Sequence, residues 1–207
     1  KNTYFYMNMS DMKCIDIVVI GGGICATSFT ESMIQFLSQL HTEFTSIQGK
    51  NKHSFALTII SASPFIKQSH NLKKLSKTMH SFDIKQQLPT DWIEENVTTT
   101  PFQSSFLSIQ FIHGIAEKIH MFEKDNLYKG EVHFTECDGM MKRNSMRFHY
   151  CFIANGARPK IPDVLKKLKE HVITLRDTDS LMRLQEVIQS AESIALIGNG
   201  GIALELV

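Results

Sequence analysis

The stretch IDIVVIGGGICATSFTESM, which runs from Ile15 to Met33, decides the fold. A short apolar, β-branched run from Cys14 to Ile20 ends at three consecutive glycines, which is typical of a buried strand in a parallel sheet. The residues from Ile24 to Leu40 are numerous enough for a helix and repeat apolar side chains at helical spacing. A second apolar run follows from Phe55 to Ile60. Strand, turn, helix and strand in this order predict a βαβ unit.

The glycine turn fits the pattern GxGxx(G/A), with Gly21, Gly23 and Ala26 at its key positions. Gly21 permits the tight turn, Gly23 lets a pyrophosphate approach the backbone, and Ala26 lets the helix pack closely on the strand. The helix N-terminus then offers N–H groups and a positive dipole end to the anion. Between a strand and a helix, the pattern predicts a dinucleotide site. The alternative is a glycine turn that only closes a tight connection.

An expected acidic residue is missing at the end of the second strand. A Rossmann site usually has Asp or Glu there to hold a ribose hydroxyl. The sequence LTIISASP offers Ser61 or Ser63 instead, and a serine hydroxyl makes a weaker, uncharged hydrogen bond. We therefore expect either a loss of affinity or a different contact to the ribose.

A second glycine turn lies near the end of the chain, where the apolar run SIALIG leads into GNGGIA. Gly198, Gly200 and Ala203 take the same pattern positions, and Glu205 follows two places later. A dehydrogenase with one nicotinamide needs one such site. Two sites indicate two dinucleotides, one of them a flavin, arranged to pass a hydride between them. A single-cofactor NAD dehydrogenase is the weaker alternative.

Charge and hydropathy exclude several classes of partner. The 22 basic and 21 acidic residues leave a formal net charge of +1, which does not favour nucleic acid or an anionic membrane as a partner. No apolar run approaches the length of a membrane span. The nine histidines are scattered without ligand spacing, so we expect no metal site.

No two of the four cysteines stand at CxxC or CxxxxC spacing, which argues against a zinc site and against a local redox dithiol. Cys14, Cys25 and Cys151 lie in or beside apolar runs, which predicts buried packing, whereas Cys137 on a predicted hairpin should be exposed. This usage fits a reducing compartment, so we expect a location in the cytoplasm, the nucleus or both.

The middle of the chain carries four further predictions. The polar stretch from His41 to Ser54 has no period and predicts a surface loop. The residues from Asn71 to Phe82 predict a second helix, and those from Gln87 to Ser105 predict a loop. Between Phe106 and Lys124 we expect a strand, a turn near Gly114 and another strand.

The last third predicts strands followed by helices. Residues 130–159 indicate strands around a turn at Asp138 and Gly139, ending in the core strand HYCFIA. The stretches LKKLKEH and DTDSLMRLQEVIQSAE predict helices, and SIALIG predicts a further strand.

The motifs GGGICA, SASPFIK, LSK, FIANGARPKIP, LRDTDS and IGNGGIALE stand in this order along the chain. In that order they resemble the pyridine nucleotide–disulfide oxidoreductases, flavoproteins that bind FAD and NAD(P)H. The resemblance implies an α/β fold: a Rossmann-like FAD-binding domain with a parallel sheet and a β-meander over residues 13–160. A connecting helical segment over 161–192 and the first strand, turn and helix of an NAD(P)-binding domain over 193–207 would follow. We expect the chain to be incomplete, and residues 193–207 alone not to bind a nicotinamide.

The resemblance also implies roles for individual residues near the flavin. Gly21, Gly23, Cys25 and Ala26 would line the FAD pyrophosphate. Lys77 of LSK would lie near the flavin or its phosphates, with a solvated helix lysine as the alternative. Backbone around Ile115 and Ala116 would face the adenine.

Further residues with implied roles lie later in the chain. Ala154, Asn155 and Gly156 stand where the family has an Ala-Thr-Gly turn beside the FAD. Arg176 would approach the FAD, or else form a surface ion pair with Asp177 or Asp179. The remaining four would begin the NAD(P)H site: Gly198, Gly200, Ala203 and Glu205.

The sequence departs from one arrangement of the family's disulfide reductases, because no CxxxxC pair follows the first helix. The family's other arrangement, a CxxC pair in the nicotinamide domain, would lie beyond Val207 and stays open. We therefore expect an FAD-dependent oxidoreductase that takes a hydride from NAD(P)H and passes electrons directly to an unknown acceptor. The alternative is a flavin- or nucleotide-binding partner protein with little turnover. The resemblance implies a tRNA ligase complex, protected from oxidation, as its partner.

Overall fold

The computed structural model describes residues 14–48, 54–74, 80–97, 106–123, 127–139, 141–168, 170–176, 178–198, 200 and 203. The chain divides into two units, Lys1–Gly156 and Ala157–Val207. In chain order the main elements are β1 (Cys14–Ile20), α1 (Ile24–Gln48), β2 (Ser54–Ser61), β3 (Ile66–Lys74), β4 (His80–Gln87), α2 (Pro89–Val97), β5 (Leu107–Met121), β6 (Gly130–Glu136), β7 (Arg143–Phe148), β8 (Tyr150–Ile153) and α3 (Thr178–Ser190).

Six strands of the first unit form one sheet in the order β7-β6-β5-β2-β1-β8. The strands β5, β2, β1 and β8 run parallel, so that Ile17 lies opposite both Leu57 and Tyr150. The other pairs, β5 with β6 and β6 with β7, are antiparallel and form a meander. The α/β fold with a parallel sheet and a β-meander is thus confirmed.

The parallel strands bury side chains on both faces because one face is covered by α1 and the other by the meander. Ile15, Ile17 and Val19 of β1 share a core with Ile34 and Leu37 of α1. The intervening residues of β1 point to the opposite face. There the core contains Val18, Ile20, Ile60, Ile112, Val132, Phe134 and Phe148. Burial on both faces explains why β1 is apolar at every position except Asp16.

The strand β5 serves both parts of the sheet without a break. It pairs with β2 as far as His113 and with β6 from Gly114 onward, with an irregularity between Ala116 and Lys118. The predicted turn near Gly114 is therefore wrong. A Cβ at Gly114 would lie 2.9 Å from the carbonyl oxygen of Thr135, so the glycine permits close approach of two strands.

The predicted helix over Asn71–Phe82 is also wrong in its described part, on either side of residues 75–79. Residues 71–74 belong to β3 and residues 80–82 to β4, and these two strands form a two-stranded antiparallel sheet. The local sequence is compatible with a helix, but contacts with the rest of the protein stabilise the paired strands β3 and β4 instead. Ile66 of β3 is 1% exposed in the core next to α1. Gln68 donates a hydrogen bond from its side-chain amide to the carboxylate of Glu31 on α1.

Two stretches predicted as loops contain helix. The helix α1 continues to Gln48, and the Thr42 hydroxyl donates to the carbonyl of Ser38 at 3.0 Å. The helix α2 begins at Pro89 and has Asp91 in its first turn, two signals of a helix start that the polar composition hid. Its Trp92 is fully buried beside α1, so burial of one aromatic side chain holds this short helix in place.

The second unit contains a short 3₁₀ helix, Asp163–Leu168, where LKKLKEH predicted a helix, and α3 where the second helix was predicted. The predicted strand over residues 193–198 is not formed, and these residues are exposed. A strand requires a hydrogen-bonded neighbour, and among the described residues of this unit there is no strand to pair with.

Candidate dinucleotide-binding site

The carboxyl ends of the parallel strands bring the first glycine turn, which we call the glycine loop (residues 21–23), into contact with the segments after β2 and β8. Gly21 has a φ of 126°, a conformation that side chains with a Cβ rarely adopt. Its N–H donates to the carbonyl of Ile60 at 2.8 Å. A Cβ at Gly21 would overlap the carbonyl group of Ala154. The tight turn at Gly21 is therefore required by its neighbours.

Gly22 was not among the residues singled out from the sequence, yet it is the buried member of the loop. A Cβ there would lie 2.5 Å from Oγ of Ser61 and 3.3 Å from the carbonyl oxygen of Phe65. Its own carbonyl accepts a hydrogen bond from the N–H of Lys67 at 3.1 Å. The signal in the sequence was the run of three glycines, since GxGxx(G/A) does not require glycine at the middle one.

Gly23 is different, because a Cβ there would meet nothing within 4 Å. Its carbonyl accepts the first hydrogen bond of α1, from the N–H of Thr27 at 3.0 Å. The N–H groups of the first turn of a helix have no partner within the helix. Open space therefore lies beside a helix end that attracts anions.

The first turn of α1 divides its side chains between core and solvent. Ala26 is 1% exposed and belongs to the core that α1 shares with the sheet. Cys25 is exposed, and so is Cys14 at the start of β1, so the prediction that these two thiols are buried is wrong. Both lie at the ends of apolar runs rather than inside them. Cys151 is partly buried, and burial raises the pKa of its thiol.

Both serines after β2 use their side chains to shape the local turn. Ser61 is 3% exposed, and its Oγ accepts a hydrogen bond from the N–H of Ser63 at 3.1 Å. Oγ of Ser63 accepts from the N–H of Phe65 at 3.3 Å. Ser61 thus lies beside the glycine loop, and its Oγ already accepts a hydrogen bond within its own turn.

His113 is a further polar residue at this edge that sequence reasoning set aside. It lies opposite Ser61 in the pairing of β5 with β2, and its Nε2 is 3.2 Å from the carbonyl oxygen of Ala62. No sequence pattern marks this neighbour, because the contact depends on the register of two distant strands.

The other predicted residues near the flavin fall in three places. Ile115 and Ala116 lie where β5 pairs with β6, with Ile115 opposite Thr135 and 51% exposed. Ala154 follows β8 and its N–H donates to the carbonyl of Ile20 at 2.8 Å. Asn155 and Gly156 continue from it, exposed, with a φ of 69° at Gly156. Lys77 lies outside the described residues.

Arg176, which was predicted to approach the FAD, belongs to the second unit, as do the residues predicted for the NAD(P)H site. The backbone N–H of Arg176 donates to Oγ of Ser180 at 2.9 Å. Gly198 has a φ of 140°, and a Cβ there would lie 3.8 Å from Cβ of Ala203. Gly200 is exposed, and Glu205 lies outside the described residues.

The titratable groups whose pKa departs from its ordinary value lie outside the glycine loop. Groups with a shifted pKa are Glu95, His149 and Cys151, and none of them belongs to the glycine loop. Within the described ranges no group of three His, Cys, Asp or Glu side chains could hold a metal ion. No helix in the described part of the chain is long and apolar enough to cross a membrane.

Comparison with known proteins gives one family. The sequence model for pyridine nucleotide-disulphide oxidoreductases matches residues 15–207. Similar curated proteins carry the name pyridine nucleotide-disulfide oxidoreductase domain-containing protein 1. The protein from Danio rerio is 30% identical over 202 residues, covering 97% of this chain and 33% of its own length. The protein from Homo sapiens is 30% identical over 190 residues, covering 92% of this chain and 30% of its own length.

The chain therefore spans about a third of the length of the curated relatives it matches. Among solved structures, a crystal structure of DfoA bound to FAD, a cadaverine monooxygenase from Erwinia amylovora, matches with a TM-score of 0.40 and 10% identity. It covers 81% of this chain and 40% of the other. A similarity of that size bears on neither fold nor function.

Proposed function

The chain belongs to the pyridine nucleotide-disulphide oxidoreductase family, and on that premise we propose that it binds FAD at the glycine loop. We further propose that it is part of a flavoprotein oxidoreductase that accepts a hydride from NAD(P)H. The observation that carries the proposal is the contrast within the loop. Cβ atoms are excluded by the protein at Gly21 and Gly22, whereas Gly23 faces open space at the start of α1.

The residues present fit a dinucleotide pyrophosphate. Gly21 and Gly22 are held by hydrogen bonds to Ile60 and Lys67, so the loop needs no ligand to set its shape. A preformed loop avoids the entropic cost of ordering on binding. The N–H groups at the start of α1 would hold the pyrophosphate, and the lack of a side chain at Gly23 would let it approach the backbone.

The segment after β8 fits the same ligand from the other side of the loop. Ala154 is fixed to the end of β1, which places Asn155 at the carboxyl edge of the sheet next to the glycine loop. In doubly wound sheets, ligands bind in the crevice outside this edge. Bound FAD would supply the chemistry of hydride acceptance, and these residues would bind and orient it.

A visible absorbance spectrum of the full-length protein, purified under native conditions, tests the FAD proposal. We expect the two absorbance bands of a bound flavin, and their bleaching after anaerobic NAD(P)H tests the hydride donor separately. A protein that carries no flavin, and takes up none when FAD is added to the apoprotein, would contradict the proposal.

A flavin-binding partner protein with little turnover is the second candidate. It is favoured by the absence of a CxxxxC pair from the sequence of residues 1–207, since a reductase of that type needs one. A tRNA ligase complex protected from oxidation remains the partner proposed for this role. Steady NAD(P)H oxidation well above that of free flavin would count against it.

A further inference from the structure

The described residues that follow β2 include no carboxylate at the place where a Rossmann site usually has one. An Asp or Glu after the second strand ordinarily accepts hydrogen bonds from a ribose hydroxyl, and here that place is taken by Ser61, Ala62 and Ser63. Both serine oxygens accept backbone N–H groups of their own turn. Ser61 is moreover buried against Gly22. Neither serine replaces the carboxylate well.

The neighbouring strand supplies an acceptor at the same level of the sheet. His113 lies directly opposite Ser61, and both follow the same alternation of their strands, so their side chains leave the sheet on the same face. Nε2 of His113 is 3.2 Å from the carbonyl oxygen of Ala62. A carbonyl can only accept, so Nε2 carries a proton and donates, and Nδ1 of the neutral ring is the acceptor.

The ring of His113 is held by the contact of its Nε2 with the carbonyl oxygen of Ala62. Its backbone is held separately, because its carbonyl accepts a hydrogen bond from the N–H of Cys137 at 2.9 Å. Among the described residues nothing donates to Nδ1, and the side chain is partly exposed at the edge where a dinucleotide would lie.

We propose that His113 binds the adenosine ribose of the dinucleotide, with Nδ1 accepting a hydrogen bond from a ribose hydroxyl in place of the missing carboxylate. The proposal rests on the proposed function of the glycine loop and adds to it the residue that binds the adenosine ribose. It also accounts for the absence of an acid after β2, because an acceptor from β5 serves the same group.

Two variants of the full-length protein separate the two nitrogens of the ring. The amide of His113→Gln reaches the position of Nε2 and can still donate to Ala62, but leaves no acceptor at the position of Nδ1. The amide oxygen of His113→Asn reaches the position of Nδ1 and keeps the acceptor. The apoproteins are titrated with FAD, ADP, 2′-deoxy-ADP and 3′-deoxy-ADP, and dissociation constants are measured by calorimetry.

We expect His113→Gln to weaken the binding of FAD and of ADP roughly fivefold, the size of one neutral hydrogen bond. The same variant should bind as tightly as the native protein to the deoxy-ADP that lacks the hydroxyl bound by Nδ1. His113→Asn should retain most of the affinity for ADP. The proposal is overturned if His113→Gln binds ADP as tightly as the native protein, or if it loses affinity for ADP and for both deoxy analogues equally. A native apoprotein that binds neither FAD nor ADP would instead contradict the proposed function.

Discussion

Gly21 and Ala154 are in backbone contact across the carboxyl edge of the sheet, although most of the first unit separates them in the chain. A Cβ at Gly21 would overlap the carbonyl group of Ala154, whose N–H donates to the carbonyl of Ile20 at 2.8 Å. This contact joins the glycine loop to the segment that begins Ala154-Asn155-Gly156. The conformation of the glycine loop is therefore fixed by contacts within the protein, without a ligand.

Replacing Gly21 by Ala should therefore destabilise the protein itself. The new side chain would force a residue with a φ of 126° out of its conformation and would overlap Ala154. We expect the free energy of unfolding to fall by about 3 kcal/mol, from backbone strain and displacement of β8 together. Urea unfolding followed by circular dichroism measures the change.

Gly23→Ala is the matched control at the same loop. Because a Cβ at Gly23 meets nothing within 4 Å, stability should change by less than about 1 kcal/mol. The methyl group would instead occupy the space proposed for the pyrophosphate, and FAD affinity should fall at least tenfold, which is about 1.4 kcal/mol. If both variants lose stability equally, the distinction between the structural and the ligand-facing glycine is wrong.

The glycine loop and β1 could be predicted from the sequence because short-range patterns determine them. An apolar run that ends at Gly21 has few alternatives to a buried strand and a tight turn. The hairpin of β3 and β4 could not, because pairing across strands and the burial of Ile66 override the local preference. His113 was missed for a related reason, since only the register of β5 against β2 reveals its neighbour Ala62.

Glu31 on α1 should stabilise the packing of α2 and of the strands β3 and β4 against this helix. One oxygen of its carboxylate accepts from the indole N–H of Trp92 at 3.1 Å and from the side chain of Gln68. Glu31→Ala would leave the N–H of a fully buried Trp92 without an acceptor. A buried donor left in this way costs about 1–3 kcal/mol, measurable by urea unfolding.

Two variants on the same helix test this assignment. Glu31→Gln keeps an acceptor oxygen and should cost less than about 1 kcal/mol. Ser32→Ala removes an exposed hydroxyl that donates to the carbonyl of Ser28, and should change stability by less than about 0.5 kcal/mol. A loss for Glu31→Ala no larger than that for Ser32→Ala would disprove the role of the carboxylate.

His149 should make the stability of the first unit sensitive to acid. The side chain is 5% exposed, and its Nδ1 accepts a hydrogen bond from the N–H of Asp16 at 2.9 Å. Burial lowers the pKa of His149 below its ordinary value of 6.5, against the attraction of the Asp16 carboxylate and together with the repulsion of Lys129. The folded state therefore disfavours the proton that the unfolded chain accepts.

The sign of the pH dependence follows from this lowered pKa. The unfolded state binds more protons than the folded state between the two pKa values. The contribution of His149 to stability is fully present above pH 6.5 and is lost progressively as the pH falls toward the pKa of the folded state. His149→Asn can accept the N–H of Asp16 without titrating, so its stability should fall less between pH 7 and pH 5. An identical slope in both proteins would count against His149 as the cause.

The exposed thiol of Cys25 gives a direct test of where FAD lies. Cys25 is in the first turn of α1 next to the open face of Gly23, whereas Cys151 is partly buried in β8 and burial raises the pKa of its thiol. Since the thiolate is the reactive form, iodoacetamide should alkylate Cys25 well before Cys151 in the apoprotein. Peptide mass spectrometry measures both rates.

FAD should slow alkylation of Cys25 by at least about tenfold if it covers this turn. Cys14 is exposed at the opposite end of β1 and should react at an unchanged rate. Equal protection of Cys14 and Cys25 would indicate a general tightening of the fold, and no protection of Cys25 by bound FAD would place the flavin elsewhere.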